Sequence, residues 1–367
     1  MKGFIRILKS YDWMLIISIL LLSGIGLLVM YGIAQHQDKV LQLFYKQSLF
    51  IFLGFLIMLF VGAFDYRIFR NWGWASLIAY LAVIVLLVGV LFFGITARGS
   101  KSWFVIGLFG IQPVEFAKIV VILVLAKYFG LSHIEIHRPL HIFISGFYVL
   151  LPTILVLAQP DLGSVIIILL LWLGLMMIAG IKARHFIILG VIALIIAIAG
   201  WMYFLQPYQK NRILTFLNPS LDPLGAGYNR NQALIAIGSG GLFGRGLDGA
   251  TQSLYGFLPE AANDFMLAAI GESFGLVGVV GVFGLWLLIF WRLSLIARAS
   301  PNNFSRLFIA GFFIVAMVQF FINAGANFGL LPITGIQSPF ISYGGSGFIA
   351  FSFAVGLILS INRINKS

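Results

Sequence analysis

The chain has 367 residues, of which 61% are hydrophobic and 9% charged, and its mean hydropathy is +1.07. This balance excludes a soluble globular enzyme. The net charge of +12 has no basic soluble module to carry it, which excludes nucleic-acid binding, and the lack of cysteine excludes disulfides and thiol nucleophiles.

Apolar runs long enough to cross a hydrocarbon core of about 30 Å recur along the whole chain. They predict an all-α polytopic membrane protein, a single integral membrane domain over residues 1–367. Ten spans are expected, near 13–34, 48–64, 74–94, 113–130, 140–158, 162–180, 186–205, 264–291, 306–324 and 344–361. The first is too long for a signal-peptide core and lacks a small-residue cleavage site, so it is read as retained. The second is short and the eighth long, which predicts tilt or irregular backbone there. A long outer loop, about 205–263, separates spans 7 and 8. An even number of spans puts both termini on one side. Fourteen Lys and Arg fall on that side and eight on the other, which makes the termini cytoplasmic.

Polar residues met along the chain are few enough to weigh singly. Arg98 and Lys101, in "RGSKS", lie outside the third span in a phosphate-loop near miss. Glu115 and Lys118, in "IQPVEFAKIV", are one helical turn apart and can pair with each other or reach a partner on another helix. The "HIEIH" of 133–137 lacks the helical spacing of a metal site and reads as a cytoplasmic loop. Asp161, in "LAQPDLGSV", suits a helix N-cap, or a cavity wall, or both. The long loop carries Lys210, Arg212, Arg230 and Arg245 with many glycines. Basic side chains and exposed N–H groups in Gly-rich turns can hold a phosphate, and the same glycines also permit close packing. "GSGGLFGRG" is neither a Walker loop nor a dinucleotide fingerprint.

The segment "LPEAANDFMLAAIGESFG", 258–275, opens polar and closes apolar. Glu260, Asn263 and Asp264 stand at its mouth, and either of the last two can cap the following helix. Glu272 lies eight residues beyond Asp264, about 12 Å deeper and about 80° around an ideal helix. A mid-membrane acid costs roughly 2.5–3.5 kcal/mol on insertion scales, so Glu272 is expected to have a buried partner and a supporting role. Asp264 is the reactive candidate. Finally, "LLPITGIQSPFISYGGSGF", 330–348, interrupts apolar sequence with Pro and Gly. It predicts irregular backbone lining a cavity, with Ser342 and Ser346 among its polar groups.

Six stretches in order ("QPVEFAKI", "QPDLGS", "YQKNRILTFLNPSLDPLGAGYN", "QALIAIGSGGLFGRGL", "LPEAANDFMLAAIGESFG" and "LLPITGI…PFISYGGS") resemble the SEDS family of shape, elongation, division and sporulation proteins. The similarity covers nearly the whole chain, and the short termini are closer to RodA than to FtsW. It implies peptidoglycan glycosyltransferase activity on lipid II at the bacterial cytoplasmic membrane, with the site facing outward. It also implies a class B penicillin-binding protein as partner, among other elongation-complex membrane proteins. Asp264 matches the family's catalytic aspartate, usually preceded by Thr where Asn263 stands here. Ser273 replaces a common second Glu, and Gln337 and Ser338 replace a usual Pro-Leu.

The chemistry implied is attack by a sugar 4-hydroxyl on an anomeric carbon, for which one base suffices. The leaving diphosphate calls for positive charge, from Lys118, Arg98, Lys101, Lys210, Arg212, Arg230 or Arg245, or from a bound Mg²⁺ or Mn²⁺. No organic cofactor is implied. A lipid-linked sugar flippase and a non-catalytic scaffold for the penicillin-binding protein are the competing classes. Ionisable residues gathered in the outer half favour the enzyme over alternating access.

Overall fold

The structure is a computed structural model that describes residues 7–97, 100–107, 109–130, 139–204, 207–218 and 225–366. Arg98, the "HIEIH" stretch and the side chain of Arg212 lie outside the described residues.

Helices occupy all ten predicted spans: α1 (Trp13–Ala34), α2 (Asp38–Ala63), α4 (Gly73–Phe93), α5 (Pro113–Phe129), α6 (Pro139–Leu157), α7 (Leu162–Ala179), α8 (Ala183–Ala199), α12 (Met266–Ala299), α13 (Asn303–Asn327) and α14 (Gly345–Lys366). A short α3 (Arg67–Asn71) joins α2 to α4. Nine of the ten, among the described residues, are long and apolar enough to cross a membrane. The exception is α5, 17 residues long, with Pro113 in its first turn and both Glu115 and Lys118 buried. It is the core helix of the bundle: nearly every side chain from Val114 to Ala126 faces protein rather than lipid. At the rim, α8 has no buried residue among those described, and a π-helical turn, Gly200–Phe204, prolongs it.

Chain direction gives the bundle two distinct ends. The start of α1, the end of α14, Asp12 and Arg292 share one. There Asp12 caps α1 by accepting from the Leu15 N–H at 3.1 Å. It also pairs with Arg292, whose Nε and Nη2 lie 3.3 and 2.5 Å from its two oxygens. Asp12 carries no signal of this pairing in the sequence, because it precedes the apolar run instead of interrupting it.

The opposite end departs from expectation twice. First, residues 95–111 form a small antiparallel sheet, β1 (Ile95–Ala97), β2 (Ser100–Ile106) and β3 (Phe109–Ile111), in that order. Ile95 pairs with Trp103, and Val105 with Gly110. The short aromatic and β-branched run "WFVI", bounded by Ser and Gly, is the strand signal that the search for spans passed over. Second, the described part of the 205–263 stretch is largely helical: α9 (Pro207–Leu217), α10 (Ala226–Gly240) and α11 (Thr251–Leu254). It folds back on α12.

That contact explains why α12 is so long. Gly275 has φ +66° and ψ −158°, which breaks the helix. The groups freed by the break are satisfied by the glycine-rich turn: Arg245 and Gly246 N–H donate to the Glu272 and Ser273 carbonyls at 2.9 and 3.0 Å. In return, Leu276 and Val277 N–H donate to the Gly241 and Leu242 carbonyls at 2.9 and 3.1 Å. Irregular backbone at membrane depth needs such pairing. A Cβ on Gly240 would stand 2.0 Å from the Gly271 carbonyl oxygen, and one on Gly244, at φ +83°, 2.2 Å from that of Ser273. Close packing accounts for these glycines. The N–H groups of Gly244, Arg245 and Gly246 are already bonded to backbone, so they do not form a phosphate nest.

Candidate active site

Asp264 lies two residues before α12 and is 9% exposed. The turn that leads to it is built by local bonds. Leu258 N–H donates to the Gln252 carbonyl at 2.8 Å, and Asn263 N–H to that of Glu260 at 3.0 Å. Glu260 is exposed, takes a left-handed φ of +54°, and accepts a hydrogen bond from the Asn263 side-chain amide. The N-cap position of α12 belongs to Phe265, not to Asn263 or Asp264 as the sequence suggested. An acceptor for this helix start comes from α13, where the Asn327 side chain takes Ala268 N–H at 2.9 Å. The ideal-helix estimate placing Glu272 relative to Asp264 therefore fails, since Asp264 sits in a turn.

The main chain of Asp264 is held from α13. Its carbonyl accepts from Asn323 Nδ2 and Asn327 Nδ2, both at 2.9 Å. The second amide proton of Asn323 goes to the Ile336 carbonyl at 2.8 Å. One turn back on α13, Gln319 donates to the Gln337 carbonyl at 3.2 Å and accepts from Lys118 Nζ at 2.9 Å. Lys118 also bonds Glu115 Oε1 at 2.8 Å and is 1% exposed. Gln319, Asn323 and Asn327 recur at four-residue intervals and so line one helical face. They join the Lys118 pair, the 336–337 backbone and Asp264 into one network. Sequence inspection missed all three, although a four-residue polar period inside an apolar span is a readable signal.

A small open cleft adjoins this network, lined by Glu115, Gln319, Gln337, Ser338, Ser342 and Phe340 among others. Asp264 is not in its wall. The two are linked through the intervening loop, where Tyr343 N–H donates to the Ala262 carbonyl at 2.9 Å. Ser342 Oγ accepts from Ser338 N–H at 3.2 Å, and Phe340 holds a left-handed φ of +63°. Ser346 is buried in the first turn of α14, outside the cleft lining.

The remaining candidates serve mainly to close turns and helix ends. Asp161 caps α7, accepting from Ser164 N–H at 3.0 Å and Ser164 Oγ at 2.8 Å. Lys101 donates to the Leu91 and Phe92 carbonyls at 2.8 and 3.1 Å, closing the end of α4. Arg230 bridges the Phe216 and Gly329 carbonyls, each at 3.1 Å, with its guanidinium over the Phe216 ring. Arg245 Nε donates to the Ser239 carbonyl at 2.9 Å. Lys210 lies half-buried on α9. Of the proposed cations whose side chains are described, Lys118 is the one placed in the polar network beside the cleft. Among the described residues there is no cluster of three metal-ligating side chains.

Ten long helices, a segment folded back on α12, and Glu115, Asp161 and Asp264 gathered at one end define a polytopic helical membrane protein with a polar site at one end of the bundle. The family model described as "Cell cycle protein" (FTSW_RODA_SPOVE) matches residues 12–367, and the chain belongs to that family. It is 34% identical to stage V sporulation protein E of Bacillus subtilis over 97% of this chain and 98% of that one. It is 36% identical to the peptidoglycan glycosyltransferase MrdB of Escherichia coli K12, over 86% and 84%. Among solved structures it resembles a chain of a peptidoglycan synthase complex that coordinates polymerization and crosslinking, with a TM-score of 0.83, 30% identity and coverage of 97% and 98%. It also resembles Thermus thermophilus rod shape determining protein RodA, with a TM-score of 0.71, 28% identity and the same coverage.

Proposed function

We propose that the protein is a peptidoglycan glycosyltransferase that polymerises lipid II into β-1,4-linked glycan during cell-wall elongation and shape maintenance. Asp264 serves as general base for the acceptor hydroxyl. The observation that carries this reading is the fixing of the Asp264 main chain by two asparagines of α13, at the end of the bundle that also holds Lys118. A base must be held within hydrogen-bond reach of the proton it removes, and such clamping limits its wandering.

In the reaction, the 4-hydroxyl of the acceptor sugar attacks the anomeric carbon of an α-linked donor and Asp264 takes the hydroxyl proton. The bond to the undecaprenyl diphosphate breaks, and a single displacement inverts the centre. One carboxylate suffices, unlike the pair of a typical glycosidase. The departing diphosphate needs electrostatic compensation more than an acid. Lys118 is the proposed protein contribution; it lies buried behind the cleft, bonded to Glu115 and Gln319, which line it.

Should a divalent cation accompany the diphosphate, Asp264 or Glu260 would supply its protein carboxylate. Mg²⁺ or Mn²⁺ held so would neutralise charge on the leaving group. The termini lie in the cytoplasm and the site faces outward, so the lipid tail stays in the bilayer while the glycan grows outside. A class B penicillin-binding protein cross-links the product, a pairing supported by the likeness to a complex that couples polymerization with crosslinking.

The test is glycan polymerisation from purified lipid II with divalent metal, comparing the parent with Asp264→Asn, each alone and with its penicillin-binding protein. Product from the parent and none from a folded Asp264→Asn is expected. Equal product from both would remove Asp264 as the base. No product from either, beside a partner independently shown to be competent, would put a flippase or scaffold in its place.

A further inference from the structure

Glu272 is fully buried on the half-helix that precedes Gly275, yet none of the described basic side chains pairs with it. Its partners are donors of the re-entrant segment. One carboxylate oxygen accepts from Gln252 N–H at 2.7 Å. The other accepts from Ser253 N–H at 3.0 Å and Ser253 Oγ at 2.7 Å. The far side of the same short α11 is gripped from the turn between α1 and α2. Gln37 Nε2 donates to the Ser253 carbonyl at 3.0 Å and the Leu254 carbonyl at 2.9 Å. The single turn of helix is thus held by an acceptor where its N–H groups emerge and by a donor where its carbonyls emerge.

The chain passes directly from α11 into the turn that carries Asp264. Gln252, whose N–H is bound by Glu272, gives its carbonyl to Leu258 N–H at 2.8 Å, and the backbone then turns through Glu260 to Asp264. Beyond Asp264 comes the half-helix that bears Glu272. Residues 252–272 therefore form a closed loop, with the carboxylate of its last residue bonded to the main chain of its first. Asparagines of α13 hold the carbonyl of Asp264 within it. A four-residue helix cannot hold itself in place, since helix formation needs several successive bonds.

From this geometry we infer that Glu272 and Gln37 are positioning residues for the transferase reaction: together they fix α11 and so set where the Asp264 turn stands. This rests on the reading of Asp264 as the base. Charge-assisted bonds from backbone N–H to carboxylate are about twice as strong as neutral ones. Glutamine cannot repeat the Glu272 set, because an amide offers one acceptor oxygen in place of two. At Gln37 the requirement is reversed, since both contacts need a donor.

The chain has no native cysteine, which allows site-specific spin labels. Labels at Tyr255→Cys, exposed just after α11, and at Leu28→Cys, exposed on α1, report the distance between the turn and the bundle. Glu272→Gln, Glu272→Ala, Gln37→Ala and Gln37→Glu are made in the labelled and unlabelled full-length protein. Initial rates of lipid II polymerisation are followed at several lipid II concentrations. Because a displacement near 1 Å can cost up to about a hundredfold in rate, Glu272→Ala is expected to lower turnover roughly tenfold to a hundredfold, with the half-saturating lipid II concentration little changed. Glu272→Gln should fall between it and the parent. Gln37→Glu, the same shape with its donors replaced by acceptors, should be slower than Gln37→Ala. Each loss should come with a broadened label distance in protein that still elutes as a single folded species. Unchanged rate and distance in Glu272→Ala would overturn the inference. So would a slow Glu272→Ala with an undisturbed distance, or Gln37→Glu as fast as the parent. Asp264→Asn in the same background separates the two readings: if it stays active, the base is misassigned, while the distance measurements still report on the clamp.

Discussion

The α13 asparagines allow a double-mutant cycle whose outcome is fixed by counting hydrogen bonds. Asn323→Ala removes one donor from the Asp264 carbonyl and the described donor of the Ile336 carbonyl. Asp264 still has Asn327, so one buried carbonyl is stranded, at about 1–3 kcal/mol. Asn327→Ala likewise leaves the Asp264 carbonyl to Asn323 and strands Ala268 N–H, again about 1–3 kcal/mol. Only the double variant takes both donors from Asp264. Its loss should exceed the sum of the singles by a further ~1–3 kcal/mol, far above the roughly 0.3–0.5 kcal/mol within which independent sites add. Unfolding free energies in micelles, from steric trapping, measure the stability cycle. Lipid II polymerisation rates at a temperature where all four proteins are folded measure the functional one. A coupling of about 1.4 kcal/mol in the activation step would appear as a tenfold shortfall of the double variant against the product of the singles. Additive stability together with multiplicative rates would refute the claim that these amides jointly hold the Asp264 peptide.

Two other substitutions test the surrounding framework. Lys118→Met leaves the buried Glu115 and Gln319 oxygens without their cation. It should cost about 3–5 kcal/mol in unfolding free energy, with much of that restored by adding Glu115→Gln; no recovery in the double variant would mean that Lys118 acts other than through this pair. Gly275→Ala places a Cβ 2.4 Å from the Gly244 nitrogen at a left-handed φ. It should cost more than about 2 kcal/mol and expose the Leu276 and Val277 amides to hydrogen exchange, whereas parental protection of both would show that the break does not depend on the glycine.

The ten spans were legible because each apolar run is close to the membrane thickness, and the structure shifts most of their ends by only a few residues. The second helix starts well before its apolar run, at Asp38, because "DKVLQLFYKQ" has helical spacing without continuous apolarity. Residues 95–111 show how a search for long apolar runs hides short strands. The long eighth span gave away an irregularity, but its form needed the partner: Gly275 breaks α12 where the 240–246 turn, distant in sequence, can bond the freed groups. The clustering of Glu115, Asp161 and Asp264 at one end followed from counting spans. The contacts that give each of them its setting did not. Lys118 could pair within α5 or across to another helix, and the structure shows both, through Glu115 and Gln319. Arg230 and Arg245 read as phosphate ligands because a sequence shows their charge and not the carbonyls beside them.

The carboxylates at the helix ends and inside the bundle are tied to neighbouring segments. Asp12 has Arg292, Glu115 has Lys118, Asp161 has the first turn of α7, and Glu272 has the main chain of α11. In each, the side chain is the group engaged, and the acid's role is to hold chain segments together. The main chain around Asp264 is held as well: bonds from Asn323 and Asn327 reach its peptide carbonyl, and Tyr343 bonds the carbonyl two residues before it. Two buried amides on one face of α13 set the position of its main chain. Buried polar groups that are fully satisfied rigidify what they touch. A carboxylate carried on backbone fixed in this way can meet an incoming hydroxyl without first being ordered, which is what general-base catalysis asks of it.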